Sequence, residues 1–178
     1  MDFRTHNPSD ASSIETLFLS VFTNSEGESE GLLVSKLAKE MLSTTKREDL
    51  FGFVACDGSQ IVGAILFSRL KYEADVDVFL LAPVAVATDH QSLGIGQALI
   101  THGLGELEKR GVEFVMTYGD PAFYSKVGFH SISPDSVQPP FALSQPVGWL
   151  GQSLTGAPIE TLAGRGSCVA GLNDPQYW

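Results

Sequence analysis

The sequence predicts a single α/β domain. Three observations carry that reading. Amphipathic helical segments alternate with apolar, β-prone runs along the chain. Residues 78–86 are almost wholly apolar, the pattern of a strand covered on both faces. The 178 residues suit one domain with an elaborated end, and 43% hydrophobic against 18% charged residues is ample for a conventional core.

The elements follow in chain order. Residues 2–6 read as a short strand. Asn7-Pro8 then marks a helix start, because proline is tolerated at the first helical position. Ser12 and Glu15 have capping-box spacing just inside it and offer a second, weaker start. Ala11, Ile14, Leu17, Phe18, Val21 and Phe22 share one helical face. Residues 24–30, with three glutamates, are expected as an acidic loop, and Leu33, Leu37 and Met41 mark a second amphipathic helix. Residues 50–56 and 60–70 are expected to form a hairpin joined by Asp57-Gly58.

Residues 76–87 form the next strand. Pro83 interrupts it, and since proline cannot donate a ladder hydrogen bond, a bulge or local splay is expected there. In the helix from about 94 to 110, Ile95, Ala98, Leu99, Ile100, Leu104 and Leu107 make the buried face, with Gln97, Thr101 and Glu108 outward. Lys109, Arg110 and Gly111 suit its C-terminus. Residues 112–118 read as a strand and 120–127 as a short helix ending at Gly128, with Asp120 as its N-cap. After 130 the chain is rich in Pro, Ser and Gly, with short strands expected near 140–146 and 166–172.

Eleven basic against twenty-one acidic residues give a formal charge of −10. That balance disfavours nucleic-acid and anionic-membrane partners, which need clustered Lys and Arg, and weakly favours cationic substrates such as amines. No apolar run approaches the ~20 residues of a membrane span, and the N-terminal residues lack a signal-peptide core. Cys56 and Cys168 are far apart, so no disulfide framework is expected and both read as small core residues. A soluble, cytoplasmic protein is the expectation. His6, His102 and His130 show no metal-ligand spacing, so no metal is expected, and His90 reads as an exposed loop residue.

The segment Gln91-Ser-Leu-Gly-Ile-Gly96 sits where the apolar strand hands over to the long helix. A glycine-bearing turn opening a helix presents free N–H groups and the positive end of a dipole, a place suited to phosphate. A tight turn with no ligand is the alternative for a lone Gly-x-Gly. Position 99 is Leu, so the dinucleotide fingerprint fails, and no Gly-Lys-Ser/Thr triplet satisfies the Walker pattern.

The segment 81–100 resembles the acyl-CoA motif of the GNAT superfamily of N-acetyltransferases: a strand, a short loop, then Gln/Arg-x-x-Gly-x-Gly/Ala opening a helix. Phe123-Tyr-Ser-Lys-Val-Gly-Phe129 resembles the family's second signature, Tyr-x-x-x-Gly-Phe. The resemblance is strong over about 76–130, compatible over 2–75 and says little about 131–178. It implies the acyl-CoA N-acyltransferase fold, a mixed, mostly antiparallel sheet with helices on both faces.

The resemblance further implies acetyl transfer from acetyl-CoA to a primary amine by direct attack in a ternary complex, without a metal. A small-molecule amine is the first expectation and a peptide or protein amine the second. No nucleic acid or membrane is expected as partner, and a homodimer is compatible with this reading. The backbone of Val84, Ala85 and Val86 would pair with the pantetheine arm. The amides of Gln91, Ser92, Leu93, Gly94, Ile95, Gly96 and Gln97 would cradle the pyrophosphate. Tyr124 would protonate the departing thiolate. The acidic segment 24–30 and the C-terminal region would flank the acceptor.

The sequence departs from the family pattern in three places. Leu93 stands where a basic residue is common, Thr117 where an asparagine is common, and Leu80 where some relatives carry a glutamate base. The nearest carboxylates, Glu73, Asp75 and Asp77, read as solvation at a strand start, so the general base is unassigned. A CoA-binding sensor without turnover is the rival reading.

Overall fold

The computed structural model describes residues 1–178. Its strands are β1 (Asp2–Thr5), β2 (Leu50–Asp57), β3 (Gln60–Leu70), β4 (Val78–Val86), β5 (Phe114–Tyr118), β6 (His130–Ser131) and β7 (Trp149–Ser153). They form one seven-stranded sheet in the order β1-β2-β3-β4-β5-β7-β6. Only β4 and β5 run parallel; every other pair is antiparallel. The helices are α1 (Ala11–Glu26), α2 (Glu28–Thr44), α3 (Ile95–Glu108) and α4 (Pro121–Tyr124).

The sheet separates two apolar layers. On one face, Ile14, Phe18, Leu37 and Met41 of α1 and α2 pack with Val54, Leu66 and Leu80. On the other, Leu99, Ile100 and Leu107 of α3 pack with Phe53, Phe67 and Phe79. The alternating side-chain direction of β2 to β5 feeds both layers, so these strands carry almost no polar positions.

Pro8 opens a 3-10 turn, Pro8–Asp10, ahead of α1. Asp10 accepts a hydrogen bond from the Asn7 amide at 2.6 Å and pairs with Arg4, fixing the chain's exit from β1. Ser12 and Glu15 are not the start.

The acidic loop expected at 24–30 does not exist. α1 and α2 are joined by Gly27 alone, whose φ of +102° permits the reversal. Glu28 and Glu30 are instead first-turn residues of α2, where unpaired amides favour negative charge. Gly31 lets the helices cross closely, since a Cβ there would lie 2.7 Å from the Leu19 carbonyl oxygen.

The hairpin turn is Gly58-Ser59, one residue later than expected, closed by the pair Asp57 and Gln60. Ala98 is exposed rather than buried. Gly103 takes the buried place instead, and a Cβ there would lie 2.7 Å from Phe67 Cε2 and 3.1 Å from Phe53 Cδ2. The end of α3 is as expected: Val112 donates to the Leu107 carbonyl at 3.2 Å and Gly111 (φ +83°) to Glu108 at 3.0 Å, a Schellman closure.

Neither 140–146 nor 166–172 is a strand. A 3-10 turn at Pro146–Gly148 leads into β7, which inserts between β5 and β6. Its sequence, Trp-Leu-Gly-Gln-Ser, has weak strand character, and the exposed edge of β5 supplies the pairing. The remaining C-terminal chain is held by single bridges, Lys71 to Ser167 and Gln138 to Arg165. Trp149 donates its indole N–H to the Val137 carbonyl at 2.9 Å and Trp178 to Leu172 at 3.0 Å, so buried tryptophans close this region.

β4 bulges where Pro83 stands. Leu81 faces Phe67 and Val84 faces Ile65, so Ala82 and Pro83 together oppose one β3 residue. The β4–β5 ladder ends at Leu81 and Thr117, yet β4 runs on to Val86. Its last five residues therefore present an edge that β5 does not cover.

The packing of α3 predicts opposite outcomes for two of its glycines. Gly103→Val overpacks the aromatic layer and is expected to destabilise by about 2 kcal/mol. Gly105→Ala, where a Cβ meets nothing within 4 Å, is expected to stabilise by up to about 1 kcal/mol. Denaturant midpoints of the two variants check the pair.

Candidate active site

The end of β4, the start of α3 and α4 converge on one cleft of about 510 Å³. Val84, Ala85 and Val86 form one wall. Gln91, Ser92, Gly94, Ile95, Gly96 and Gln97 form the second, and Phe123, Tyr124 and Lys126 the third. Val21 reaches it from α1. A wider groove of about 700 Å³ runs between α1 and the turn at Thr88–His90. It offers hydroxyls, including those of Ser12 and Ser13 in the first turn of α1, and the Asp89 carboxylate, but neither the uncovered end of β4 nor a tyrosine, so the convergent chemistry lies in the smaller cleft.

Each wall has a local cause. Gly94 is left-handed (φ +78°) and caps α3, whose first internal bond runs from Ala98 N–H to Gly94 at 3.0 Å. The amides of Ile95, Gly96 and Gln97 thus have no helical acceptor and face the cleft with the positive end of the dipole. Ser92 also takes positive φ, +63°, a conformation costly for a side-chain-bearing residue. The Gln91 side-chain amide donates to the Val86 carbonyl at 2.9 Å and fastens the loop to the end of β4. A Cβ at Gly96 would touch Val86 Cγ2 at 3.4 Å and Phe123 Cζ at 3.5 Å, so the missing side chain keeps the two walls apart.

Asp120 caps α4, accepting from the Ala122 amide at 2.9 Å, and so aims Tyr124 back over Gly119. The Tyr124 ring packs edge-on to Phe123 and Phe129, with centroids 5.0 and 5.7 Å away. Burial pushes the phenol above its ordinary pKa; the neighbouring Thr117 hydroxyl acts in the opposite direction, and the Asp120 charge adds to the rise. The group is therefore a neutral, protonated acid at physiological pH.

His90 also lines the cleft rather than standing free in a loop. Its Nδ1 lies 2.8 Å from Asp89 and its Nε2 3.6 Å from Asp57. The hydrogen bond to Asp89 raises the imidazole pKa, partial burial offsets some of that, and Asp57 adds to it.

Sequence reading anticipated every cleft residue named in the first two walls, and Tyr124. Leu93 is the exception: it is 70% exposed and does not line the cleft. Val21, Phe123 and Lys126 were missed, and His90 was weighed as a co-substrate contact but read as an exposed loop residue. Lys126 was legible only as a member of the Tyr-x-x-x-Gly-Phe motif, in the 3-10 turn that follows α4; Val21 had no signal, being a core position on a distant helix. Leu80 is fully buried in the α1–α2 layer. Glu73, Asp75 and Asp77 stand before β4, at its far end, where Asp77 pairs with Arg69. No group of three or more His, Cys, Asp or Glu side chains is placed to hold a metal, and no helix is long and apolar enough to cross a membrane.

Comparison with known proteins bears on the site. The family model described as acetyltransferase (GNAT) domain matches residues 48–131, the span from before β2 to β6. The N-acetyltransferase YjhQ of Escherichia coli K12 is 30% identical over 175 residues, covering 94% of this chain and 91% of its own. A second E. coli K12 N-acetyltransferase, YhbS, is 33% identical over 131 residues, 72% of this chain and 73% of its own. The crystal structure of E. coli YhbS in complex with CoA superposes with a TM-score of 0.83 at 24% identity, covering 97% of this chain and 92% of that one. A GNAT acetyltransferase from Brucella melitensis in complex with acetyl-CoA gives 0.69 at 23%, covering 96% and 97%. With its sheet parting at Pro83, a glycine-capped helix facing the gap and relatives alike over nearly its whole length, the chain belongs to the GNAT family of N-acetyltransferases.

Proposed function

We propose that the whole chain, residues 1–178, works as one domain that transfers an acetyl group from acetyl-CoA to the primary amine of a small molecule, by direct attack in a ternary complex. One observation carries the reading: the uncovered β4 backbone at Val84–Val86, the α3 N-terminus and Tyr124 share a single cleft. Relatives crystallised with CoA and acetyl-CoA support it.

The residues present fit that co-substrate. Acetyl-CoA supplies an acyl thioester already activated toward an amine. Val84, Ala85 and Val86 offer the strand edge that β5 leaves uncovered to an amide-bearing arm. A backbone N–H on the same edge stabilises charge developing on the carbonyl oxygen. The amides from Gln91 to Gln97 and the helix dipole hold the diphosphate. Lys126 supplies the positive charge that Leu93 does not. Tyr124 delivers its proton to the departing sulfur. No carboxylate lines the cleft and both ring nitrogens of His90 are turned to Asp89 and Asp57, so the amine sheds its proton to water or arrives neutral.

The acceptor is proposed to approach on the other side of Gly119, through a cleft of about 410 Å³. The C-terminal region builds half of it: the Gln145 amide donates to Tyr118 Oη at 2.7 Å, and Ser144 Oγ lies 2.9 Å from the same oxygen. Asp120 is the sole charged side chain lining it, which suits a cationic amine.

Acetyl-CoA at a hundred times its Kd is expected to stabilise the protein by about 2.7 kcal/mol, read as a higher melting temperature. Tyr124→Phe should lower kcat by about a hundredfold with the KM for acetyl-CoA within about threefold, followed as CoA thiol release with a panel of amines. Because the pKa of Tyr124 is raised, the alkaline loss of turnover belonging to this group is expected above pH ~10 and absent from the phenylalanine variant. A parallel loss of acetyl-CoA binding would remove Tyr124 from the acid role. Lys126→Gln is expected to weaken acetyl-CoA binding about three- to tenfold and to reduce its salt dependence, measured by calorimetry at two ionic strengths.

A further inference from the structure

Two polar side chains in this protein are fully buried, Ser68 and Thr117. Ser68 Oγ has no hydrogen-bond partner, whereas Thr117 Oγ1 donates to the Leu81 carbonyl at 2.9 Å. Leu81 and Thr117 are the last register pair before β4 and β5 part. Thr117 therefore closes the ladder with its side chain, at the point where the co-substrate edge begins.

Its direction matters as much as its place. Side chains alternate along β5, and Met116 packs in the α1–α2 layer while Val115 packs in the α3 layer. Thr117 thus faces the α3 side, where the Tyr124 ring packs. Gly119, two residues further on, abuts that ring: a Cβ there would lie 2.6 Å from Tyr124 Cε2. The buried Thr117 hydroxyl and the Tyr124 side chain thus lie as neighbours on the same side of the sheet at the end of β5.

We infer that Thr117 is a positioning residue for the acid step, its hydroxyl holding the Leu81 carbonyl while Tyr124 is neutral and turning to Tyr124 Oη as the proton leaves. The inference rests on Tyr124 being the acid. A threonine hydroxyl has one proton and two lone pairs. With that proton given to Leu81, it can accept from a neutral phenol and hold the ring in place. As the Tyr124 proton passes to the departing sulfur, the phenol oxygen gains the negative charge that the sulfur loses. Rotation about the Thr117 Cβ–Oγ1 bond then aims its proton at that oxygen. Solvent returns a proton to Tyr124, and Thr117 returns to Leu81. No other side chain is needed, and no net charge accumulates.

The test uses Thr117→Val, which keeps shape and removes the hydroxyl, Thr117→Ser, which keeps it, and Thr117→Ala should the valine variant fail to fold. Turnover is read as thiol release with acetyl-CoA and the amine that the wild-type protein accepts best. Independently of any acceptor, Tyr124 is titrated by NMR with tyrosine labelled with carbon-13 at Cζ, its signal assigned by its absence in Tyr124→Phe. Thr117→Val is expected to lower kcat about tenfold, the worth of one hydrogen bond to a charged oxygen. Its KM for acetyl-CoA should stay within about twofold, and Tyr124 should titrate at higher pH than in the wild type. Serine should restore both. In a Tyr124→Phe background, Thr117→Val should cost nothing more.

Full cost persisting in that background, with Tyr124→Phe itself impaired, overturns the role of Thr117 and leaves Tyr124 standing. An unimpaired Tyr124→Phe overturns the acid and this inference together. An unchanged Tyr124 titration in the valine or alanine variant, or failure of serine to rescue, reduces Thr117 to a structural residue.

Discussion

A proline in a central strand cannot give the hydrogen bond that its neighbour would need. Pro83 stands where β4 would otherwise continue its parallel ladder with β5. The bulge opposite Leu66 carries β4 on along β3 while β5 goes its own way. Everything proposed for this protein depends on that parting. It leaves the edge of β4 at Val84–Val86 uncovered by β5, and it opens the space into which the α3 N-terminus and Tyr124 face. Thr117 marks the boundary, taking the Leu81 carbonyl with a side chain where the backbone ladder stops.

The two layers on either side of the sheet hold this opening in place. The strands below it are nearly all apolar and covered on both faces. Close packing then leaves no slack for β4 to swing back toward β5. Gly103 shows how tight the α3 layer is, because even one methyl group there would press on Phe67. The buried tryptophans brace the opposite layer through carbonyls of irregular chain, so the C-terminal region is bound into the core while it shapes the flank of the acceptor cleft.

Electrostatics at the cleft run against the charge of the molecule. The chain carries −10 overall, yet the cleft wall has no carboxylate and includes Lys126 and His90. Backbone amides and a helix dipole supply most of the positive potential, which needs no basic side chain at position 93. The adjoining cleft has the opposite sign, with Asp120 alone charged. A divided surface of this kind suits one anionic and one cationic ligand brought together.

The sequence by itself determined what local chemistry controls. The bulge followed from the missing N–H of Pro83, the capped helix start from Gly94, the Asp120 cap from its position, and the buried faces of α1 and, apart from Ala98 and Gly103, of α3 from their period. It misread 24–30 because glutamates look alike in a loop and in a helix's first turn, and only the crossing at Gly31 separates the two. It missed β7 because that strand owes its pairing to the edge of β5 rather than to its own residues. The tertiary structure alone decided which distant groups meet: Val21 and Lys126 in the cleft, Thr117 against Leu81 and the Tyr124 ring, Tyr118 against Gln145. Such contacts join residues far apart in the chain, and no periodicity or spacing encodes them. They follow from how two packed layers fix the ends of β4 and β5, a property of the whole core rather than of any segment.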